Sequence, residues 1–254
     1  MLDLDGVLYV GDEAVPGAAE TVDWLQRSGV PHLFVTNTTS RPRSAIVAKL
    51  AGMGIIVRED DVLTPTMAAA EWLRKSALGR PALFVPEATA AELADLEPLP
   101  TDAEDGASAV VIGDLGNAWD FSTLNRAFRL LMAPAHPPLV ALGMTRYWRA
   151  QDGLRLDTGA FVRSLEYAAG VTAVVLGKPD AAFYAAAVAH LGLAPETVVM
   201  VGDDVRADVD GAQNAGLRGV LVRTGKAAGI DLPDDVRPDA VLDSVADLPR
   251  WWSA

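Results

Sequence analysis

Four stretches of this chain share one grammar: an apolar run stops abruptly at a polar cluster. They are Met1-Leu2-Asp3-Leu4-Asp5-Gly6, Leu33-Phe34-Val35-Thr36-Asn37, Val174-Val175-Leu176-Gly177-Lys178-Pro179-Asp180 and Val198-Val199-Met200-Val201-Gly202-Asp203-Asp204. Near-continuous Val, Leu and Ile without polar alternation marks strands covered on both faces, the pattern of a parallel sheet. Helical spacing fills the gaps. Val22, Leu25 and Gln26 fall on one face between Pro16 and Gly29, and Ile46, Val47 and Leu50 do so between Pro42 and Gly52. A helix is expected from Thr64 or Thr66 through Ala77, with further helices over 180–191 and 207–215. Strand–helix alternation of this kind predicts an α/β fold with helices on both faces of a parallel sheet. Ligands bind such sheets outside the carboxyl ends of the strands, where all four polar clusters fall.

The alternation repeats on a smaller scale in the middle. Strands are expected over 82–85, 108–112 and 139–142, and helices over 88–96, 121–132 and 159–169. A hairpin is expected over 146–156, turning at Asp152-Gly153, the strongest short-range hairpin signal. This divides the chain into a discontinuous core, 1–79 and 173–254, and an inserted segment, 80–172. Gly11–Val15 reads as a loop, and Pro16 as the first helical residue after it.

The bulk properties exclude several classes. A formal net charge of −13 argues against a nucleic-acid partner, which needs a basic face. It also requires any anionic substrate to find a locally positive pocket built from metal, lysine and helix N-termini. With no cysteine, disulfides and thiol catalysis are out, which suits a reducing compartment. No apolar run approaches the roughly 18–20 residues that span a bilayer, and the N-terminus has no signal-peptide pattern. A cytoplasmic protein without membrane or nucleic-acid partners is expected.

Each cluster has an ordinary reading and a chemical one. Asp3 and Asp5 lie two apart, so in a strand they project to one side while Leu2 and Leu4 take the other. They repel unless a cation lies between them, and Mg²⁺, a hard ion that takes carboxylate and carbonyl oxygens, is the obvious one. The ordinary reading is an Asp-Gly turn. Thr36-Asn37 offers a hydroxyl and backbone N–H groups to an anion, or simply a helix cap. Lys178 can neutralise phosphate as a point charge, or be a solvated loop lysine. Asp203, Asp204 and Asp208 crowd the end of a buried strand and are hard to explain as a solvated face. Across the sheet end from Asp3 and Asp5, Asp203 would complete an oxygen-rich metal site. Neither acidic cluster keeps the register of a calcium-binding loop.

In order, DLDGVLY, TNTTSR, GKPD and GDDVRADV resemble the haloacid dehalogenase (HAD) superfamily of phosphatases. The long insert and its Arg146-Tyr147-Trp148-Arg149, Asp152-Gly153-Leu154, Gly159-Ala160-Phe161 and Leu165-Glu166-Tyr167 stretches resemble subfamily IIA, which carries a large α/β C2 cap. The resemblance implies a Rossmann-like parallel core (HAD-like) with an inserted C2-type cap, and a homodimer formed through that cap. It implies that Asp3 attacks phosphorus, and that Asp5 protonates the leaving oxygen and then deprotonates water. It assigns Mg²⁺ to Asp3, the backbone carbonyl of Asp5, and Asp203, with Asp204 and Asp208 behind them orienting Lys178 or metal-bound water. Thr36, Asn37 and Lys178 would hold the phosphoryl oxygens. Asn117, Trp119, Arg146 and Tyr147 are candidate cap contacts, each equally readable as surface or cap core.

Two departures stand out. Only Met1 and Leu2 precede Asp3, where the family has several apolar residues. The central strand is therefore expected to be unusually short, with pairing lost in mid-sheet; either the true start lies upstream or the fold bears the loss. Thr38 stands where the subfamily often has Asn or Ser, a change expected to be neutral. The function expected is a Mg²⁺-dependent phosphatase of small phosphorylated metabolites working through an aspartyl-phosphate on Asp3. A HAD-fold phosphate- or metal-binding module without turnover, and a phosphotransferase to an acceptor other than water, stay open at this point. So does the substrate among nucleotides, sugar phosphates, pyridoxal phosphate, pyrophosphate and phospho-amino acids.

Overall fold

The computed structural model describes residues 1–76, 79–150 and 153–253. The chain opens with β1 (Leu2–Asp3), a short antiparallel pair β2 (Tyr9–Val10) and β3 (Glu13–Ala14), then α1 (Ala18–Arg27), β4 (Phe34–Val35), α2 (Arg43–Gly52), β5 (Val62–Leu63) and α3 (Pro65–Lys75). It continues through β6 (Ala82–Phe84), α4 (Glu87–Ala90), β7 (Val110–Ile112), α5 (Phe121–Leu131), β8 (Leu139–Ala141), the pair β9 (Tyr147–Ala150) and β10 (Gly153–Leu156), α6 (Thr158–Ala169) and β11 (Val174–Val175). It closes with α7 (Ala181–Leu191), β12 (Val199–Gly202), α8 (Gly211–Asn214), β13 (Arg218–Val222), β14 (Ala240–Leu242) and α9 (Leu248–Trp252). Among the described residues no helix is long and apolar enough to cross a membrane.

Two compact units result. The first gathers Met1–Thr36, Arg43–Leu63 and Lys178–Ala254; the second gathers Asn37–Pro42 and Thr64–Gly177. These lines fall elsewhere than the sequence boundaries at 79/80 and 172/173: α3 packs against the 3₁₀ segment Ala91–Leu96, and β11, expected as a strand of the core, pairs with β8, so both belong with the second unit.

The first unit is built on a six-stranded parallel sheet in the order β14-β13-β12-β1-β4-β5. Alternate residues of each strand face opposite sides. Val220 and Val222 join Leu2, Leu4, Val22, Leu25, Phe34, Ile46 and Leu50 in one core layer, which includes α1 and α2. Leu221, between them, packs with Val205, Val209, Ala227 and Val236 on the other side. Both faces are covered, as the apolar strands demand. Trp251 packs against the first layer, with the Arg218 guanidinium 5.5 Å from its ring.

β1 is two residues long, yet pairing is not lost around it. Leu2 pairs with Val201 of β12 and with Phe34 of β4, and Asp3 with Val35. The Met1 amino group donates to Val199 O at 2.7 Å. Pairing in a parallel sheet is a backbone property, so few residues suffice when both neighbours are in register.

Other expectations shift for identifiable reasons. Residues 9–14 are a β2–β3 hairpin rather than a loop. α1 starts at Ala18 behind Gly17, whose φ of +83° a Cβ would strain, so Pro16 stays outside the helix. The 207–215 helix is split, with a π-helical turn over Val205–Asp210 before α8.

The second unit carries a four-stranded parallel sheet, β11-β8-β7-β6, packed against α5 and α6 through Phe84, Ile112, Leu130, Leu139, Val162 and Leu165. β9 and β10 pair in antiparallel register from Gly153–Ala150 to Leu156–Tyr147; Asp152, where the turn was expected, lies outside the described residues. Trp119 stacks between Phe84 and Phe161, with ring centroids at 6.0 and 4.7 Å, so it is part of this unit's aromatic packing. The Arg146 guanidinium lies over the Tyr147 ring at 5.6 Å.

Candidate active site

Strand period and strand order together build the site in the first unit. Leu2 and Leu4 enter the core layer, which turns Asp3 to the opposite side at the carboxyl end of β1. β12 is β1's neighbour, so the residues that follow Gly202 arrive beside Asp3. The π-helical turn then brings Asp208 back: its Oδ2 accepts from the Asp204 N–H at 3.0 Å. Tyr184 of α7 donates its hydroxyl to Ala207 O at 2.7 Å and holds that turn from behind. Lys178 precedes the helix start at Asp180, whose carboxylate accepts from Ala182 N.

The result is a buried ionic cluster. Lys178 Nζ lies 2.6 Å from Asp3 Oδ1 and 2.7 Å from Asp208 Oδ1. Asp3, Asp203 and Asp208 each contribute an oxygen within 4.8 Å of the others. All four residues are buried, Asp208 completely at 0 % exposure. Three carboxylates against one ammonium leave two negative charges uncompensated where water cannot screen them.

The titration behaviour follows from that imbalance. Burial works against the Lys178 ammonium, but Asp208 and Asp3 outweigh it and hold its pKa above the ordinary lysine value. Burial raises the pKa of Asp3, opposed by Lys178 and reinforced by Asp203. Asp208 is pushed up to about 6 by burial, with Lys178 pulling down and Asp3 pushing up. Asp203 also rises to about 6, first through burial and further through Asp208, against the Lys226 N–H. Acids displaced upward together are acids that a cation would relieve.

A divalent ion fits what is present. Asp203 Oδ1 is buried with no hydrogen-bond partner, while Oδ2 accepts from the Lys226 N–H at 2.6 Å. A buried carboxylate oxygen without a partner, on a residue with an oxygen within 4.8 Å of two further carboxylates, belongs to a hard-donor set of the kind Mg²⁺ takes.

The structure sorts the residues singled out from sequence. Asp3, Lys178, Asp203 and Asp208 come together. Asp208, expected to orient Lys178 or metal-bound water, binds Lys178 and also joins the acid group. Asp204 stands outside that group. Its Oδ1 accepts from the N–H groups of Arg206 and Ala207, at 3.0 and 2.9 Å, and its Oδ2 pairs with Lys226 Nζ at 2.8 Å. The Asp5 carboxylate is exposed at the turn after β1 and is not one of the three clustered acids. Gly6, next to it, donates its N–H to Tyr9 O at 2.7 Å. Thr36 is buried at the end of β4, its N–H donating to Leu63 O at 3.2 Å. Asn37 falls in the second unit, near Gly177.

Sequence reasoning did not single out Thr224, Gly225, Lys226 or Tyr184. The first three had the same signal as the rest, a polar cluster just past an apolar strand (Gly219–Val222). They carry no acid and so drew no attention. Tyr184 sits in an Ala-rich helix and has no sequence signal.

Comparison with known proteins bears on this geometry. A family model described as "Haloacid dehalogenase-like hydrolase" matches residues 1–97, and a HAD-hydrolase-like one matches residues 175–248. Haloacid dehalogenase-like hydrolase domain-containing protein 2 of Bos taurus is 40 % identical over 95 % of this chain and 90 % of its own length. The chain belongs to the haloacid dehalogenase-like hydrolases. Within this HAD family it is also similar to the phospholysine phosphohistidine inorganic pyrophosphate phosphatase of Rattus norvegicus, 36 % identical over 97 % of this chain and 91 % of that protein. Among solved structures, p-nitrophenyl phosphatase from Archaeoglobus fulgidus superposes with a TM-score of 0.85 at 26 % identity, covering 99 % of this chain and 97 % of that one. These relatives place the chain beside the subfamily IIA proteins that its sequence resembles.

Proposed function

We propose that this HAD-family hydrolase is a Mg²⁺-dependent phosphatase of small phosphorylated metabolites, working through an aspartyl-phosphate on Asp3. Its enzyme class, phosphoric monoester hydrolase, is supported by relatives named as phosphatases. The observation that carries the mechanistic reading is the charge imbalance at Asp3, Asp203, Asp208 and Lys178. A site two negative charges in excess accepts a divalent cation, and with it a phosphoryl group.

In the proposed reaction Asp3 forms a bond to phosphorus as the ester P–O bond breaks, and Asp5 gives its proton to the leaving oxygen. Asp5 then takes a proton from the water that attacks the aspartyl-phosphate, releasing phosphate and restoring Asp3. The exposure of Asp5 suits this, because the group has to change protonation state twice per cycle. Lys178 keeps Asp3 ionised and oriented and offers its charge to the phosphoryl oxygens, with Thr36 and Asn37 as further donors. Mg²⁺ on Asp3, the Asp5 carbonyl and Asp203, with Asp208 within reach, would supply charge neutralisation for the transferring group. The segment 80–172 is assigned the role of a cap, and dimerisation through it and a cytoplasmic setting belong to the same proposal. These rest on the subfamily resemblance and on the sequence reading.

The test is Asp3→Asn with p-nitrophenyl phosphate and Mg²⁺, and EDTA as control. Loss of at least about 10³-fold in kcat is expected, since removing a covalent nucleophile leaves only binding and electrostatics. Near wild-type turnover by that variant would remove the proposal. A wild-type chain that binds Mg²⁺ but hydrolyses no ester would favour the binding-module alternative.

A further inference from the structure

The Asp203 carboxylate is seated between two glycine backbones. A Cβ on Gly6 would lie 2.0 Å from Asp203 Oδ2, and one on Gly225 would lie 2.1 Å from the same atom and 2.5 Å from Gly6 Cα. Both glycines have positive φ, +87° and +55°, so neither position accepts a side chain on steric or conformational grounds. The turn after β13 closes this seat with two hydrogen bonds. The Lys226 N–H donates to Asp203 Oδ2, and the Thr224 hydroxyl donates to Gly6 O. Oδ1 is left buried and without a partner.

We propose that Thr224-Gly225-Lys226 is a positioning element for the cation. It fixes one oxygen of Asp203 so that the other faces the acid cluster, and it pins the backbone next to Asp5. This rests on the phosphatase reading above and extends it to residues outside the four polar clusters. A carboxylate with both oxygens free to rotate presents either one, whereas a carboxylate with Oδ2 held by a main-chain donor presents Oδ1 alone. Groups that orient a metal ligand in this way tune affinity about 10–100-fold. The Lys226 side chain, 71 % exposed, contributes less than its backbone N–H because its partner is Asp204, outside the cluster.

The test uses the full chain and Mg²⁺ alone, followed by isothermal titration calorimetry without substrate, and then the Mg²⁺ and ester dependence of p-nitrophenyl phosphate hydrolysis. Thr224→Val keeps the shape and removes the donor, whereas Thr224→Ser keeps the donor. Gly225→Ala puts a methyl group against Asp203 Oδ2. Mg²⁺ binding about 10-fold weaker is expected for Thr224→Val and at least 10-fold weaker for Gly225→Ala, with Thr224→Ser restoring most of the loss. The defect should sit in the Mg²⁺ dependence, with KM for the ester at saturating Mg²⁺ little moved, a split that general destabilisation does not produce. Wild-type Mg²⁺ affinity in Thr224→Val and in folded Gly225→Ala would overturn the inference. If Gly225→Ala fails to fold, the Thr224 pair decides alone. A wild-type chain that neither binds Mg²⁺ nor responds to EDTA would overturn the underlying reading as well, and so is told apart from failure of the positioning role.

Discussion

The six-stranded and the four-stranded sheet of this protein are both parallel, and among the described residues only the first has three acids clustered beside its carboxyl edge. In the second unit the strands run β6, β7, β8, β11 across the sheet in chain order. In the first the chain builds outward from β1 to β4 and β5, then returns to lay β12 against the other side of β1. That reversal is a topological switch point, where neighbouring loops leave in opposite directions and open a crevice. Asp3 ends one strand of the switch and Asp203 follows the other. Among the described residues, the group of acids close enough to share a cation is this one. The lesson is that sheet type alone does not place a site; strand order does.

The first way to break this comparison is to remove its counter-ion. Lys178→Met leaves buried carboxylates with no ammonium and should cost about 3–5 kcal/mol, as loss of one member of a buried ionic cluster does. Urea unfolding without Mg²⁺ would measure it. A cost under 1 kcal/mol would mean the cluster is solvated and the contrast between the units is not electrostatic.

A smaller effect of opposite sign sharpens the point. Asp203→Asn removes an uncompensated charge, so the metal-free protein should unfold no more easily than wild type, and should be more stable by roughly 1 kcal/mol at neutral pH. Mg²⁺ affinity should fall at least about 10-fold. The pH dependence has the same origin. Asp203 and Asp208 titrate near 6 when folded, above the ordinary aspartate value of 3.8. The folded state therefore binds more protons than the unfolded one between those values. These groups make metal-free stability fall as pH rises from about 4 to about 6. Saturating Mg²⁺ should flatten that slope, and Mg²⁺ affinity should weaken as pH drops through about 6. A metal-free stability that climbs over this window, after other groups are accounted for by Asp203→Asn, would contradict the assignment.

The smallest effect belongs to the second unit. Arg74 and Asp95 form a 2.7 Å ion pair, but their side chains are 43 and 54 % exposed. Arg74→Ala should cost under about 1 kcal/mol in the same urea experiment. Equal costs for Lys178→Met and Arg74→Ala would erase the distinction drawn between the units.

Much of the site was legible because strand-end chemistry is local. Asp3 and Asp203 lie at the ends of β1 and β12, which the six-stranded parallel sheet brings to one edge, whereas the apolar run before Lys178 became β11 of the four-stranded sheet. The fold class was legible for the same reason, and α/β alternation located β8 and α5 where expected, Leu139–Ala141 within 139–142 and Phe121–Leu131 within 121–132. What escaped depends on register and partners. The two-sided pairing of β1 comes from backbone groups of β4 and β12, which no side-chain pattern reports. The β2–β3 hairpin has two-residue strands, too short for periodicity to show. The π-helical turn at 205–210 delivers Asp208 to Lys178, and an apolar pattern does not separate it from an α-helix. Thr224–Lys226 act through a main-chain donor, a short hydroxyl contact and a missing Cβ, and residue chemistry alone advertises none of these.

The central claim is that Asp3 takes the phosphoryl group. Rapid acid quench of wild-type enzyme turning over p-nitrophenyl phosphate, followed by borohydride reduction and peptide mass spectrometry, reads this directly, because an acyl phosphate is reduced to the alcohol. The account predicts homoserine at position 3, dependent on substrate and Mg²⁺ and absent from Asp3→Asn. Steady turnover with an unmodified Asp3, or with the reduced residue at another acid, would contradict it.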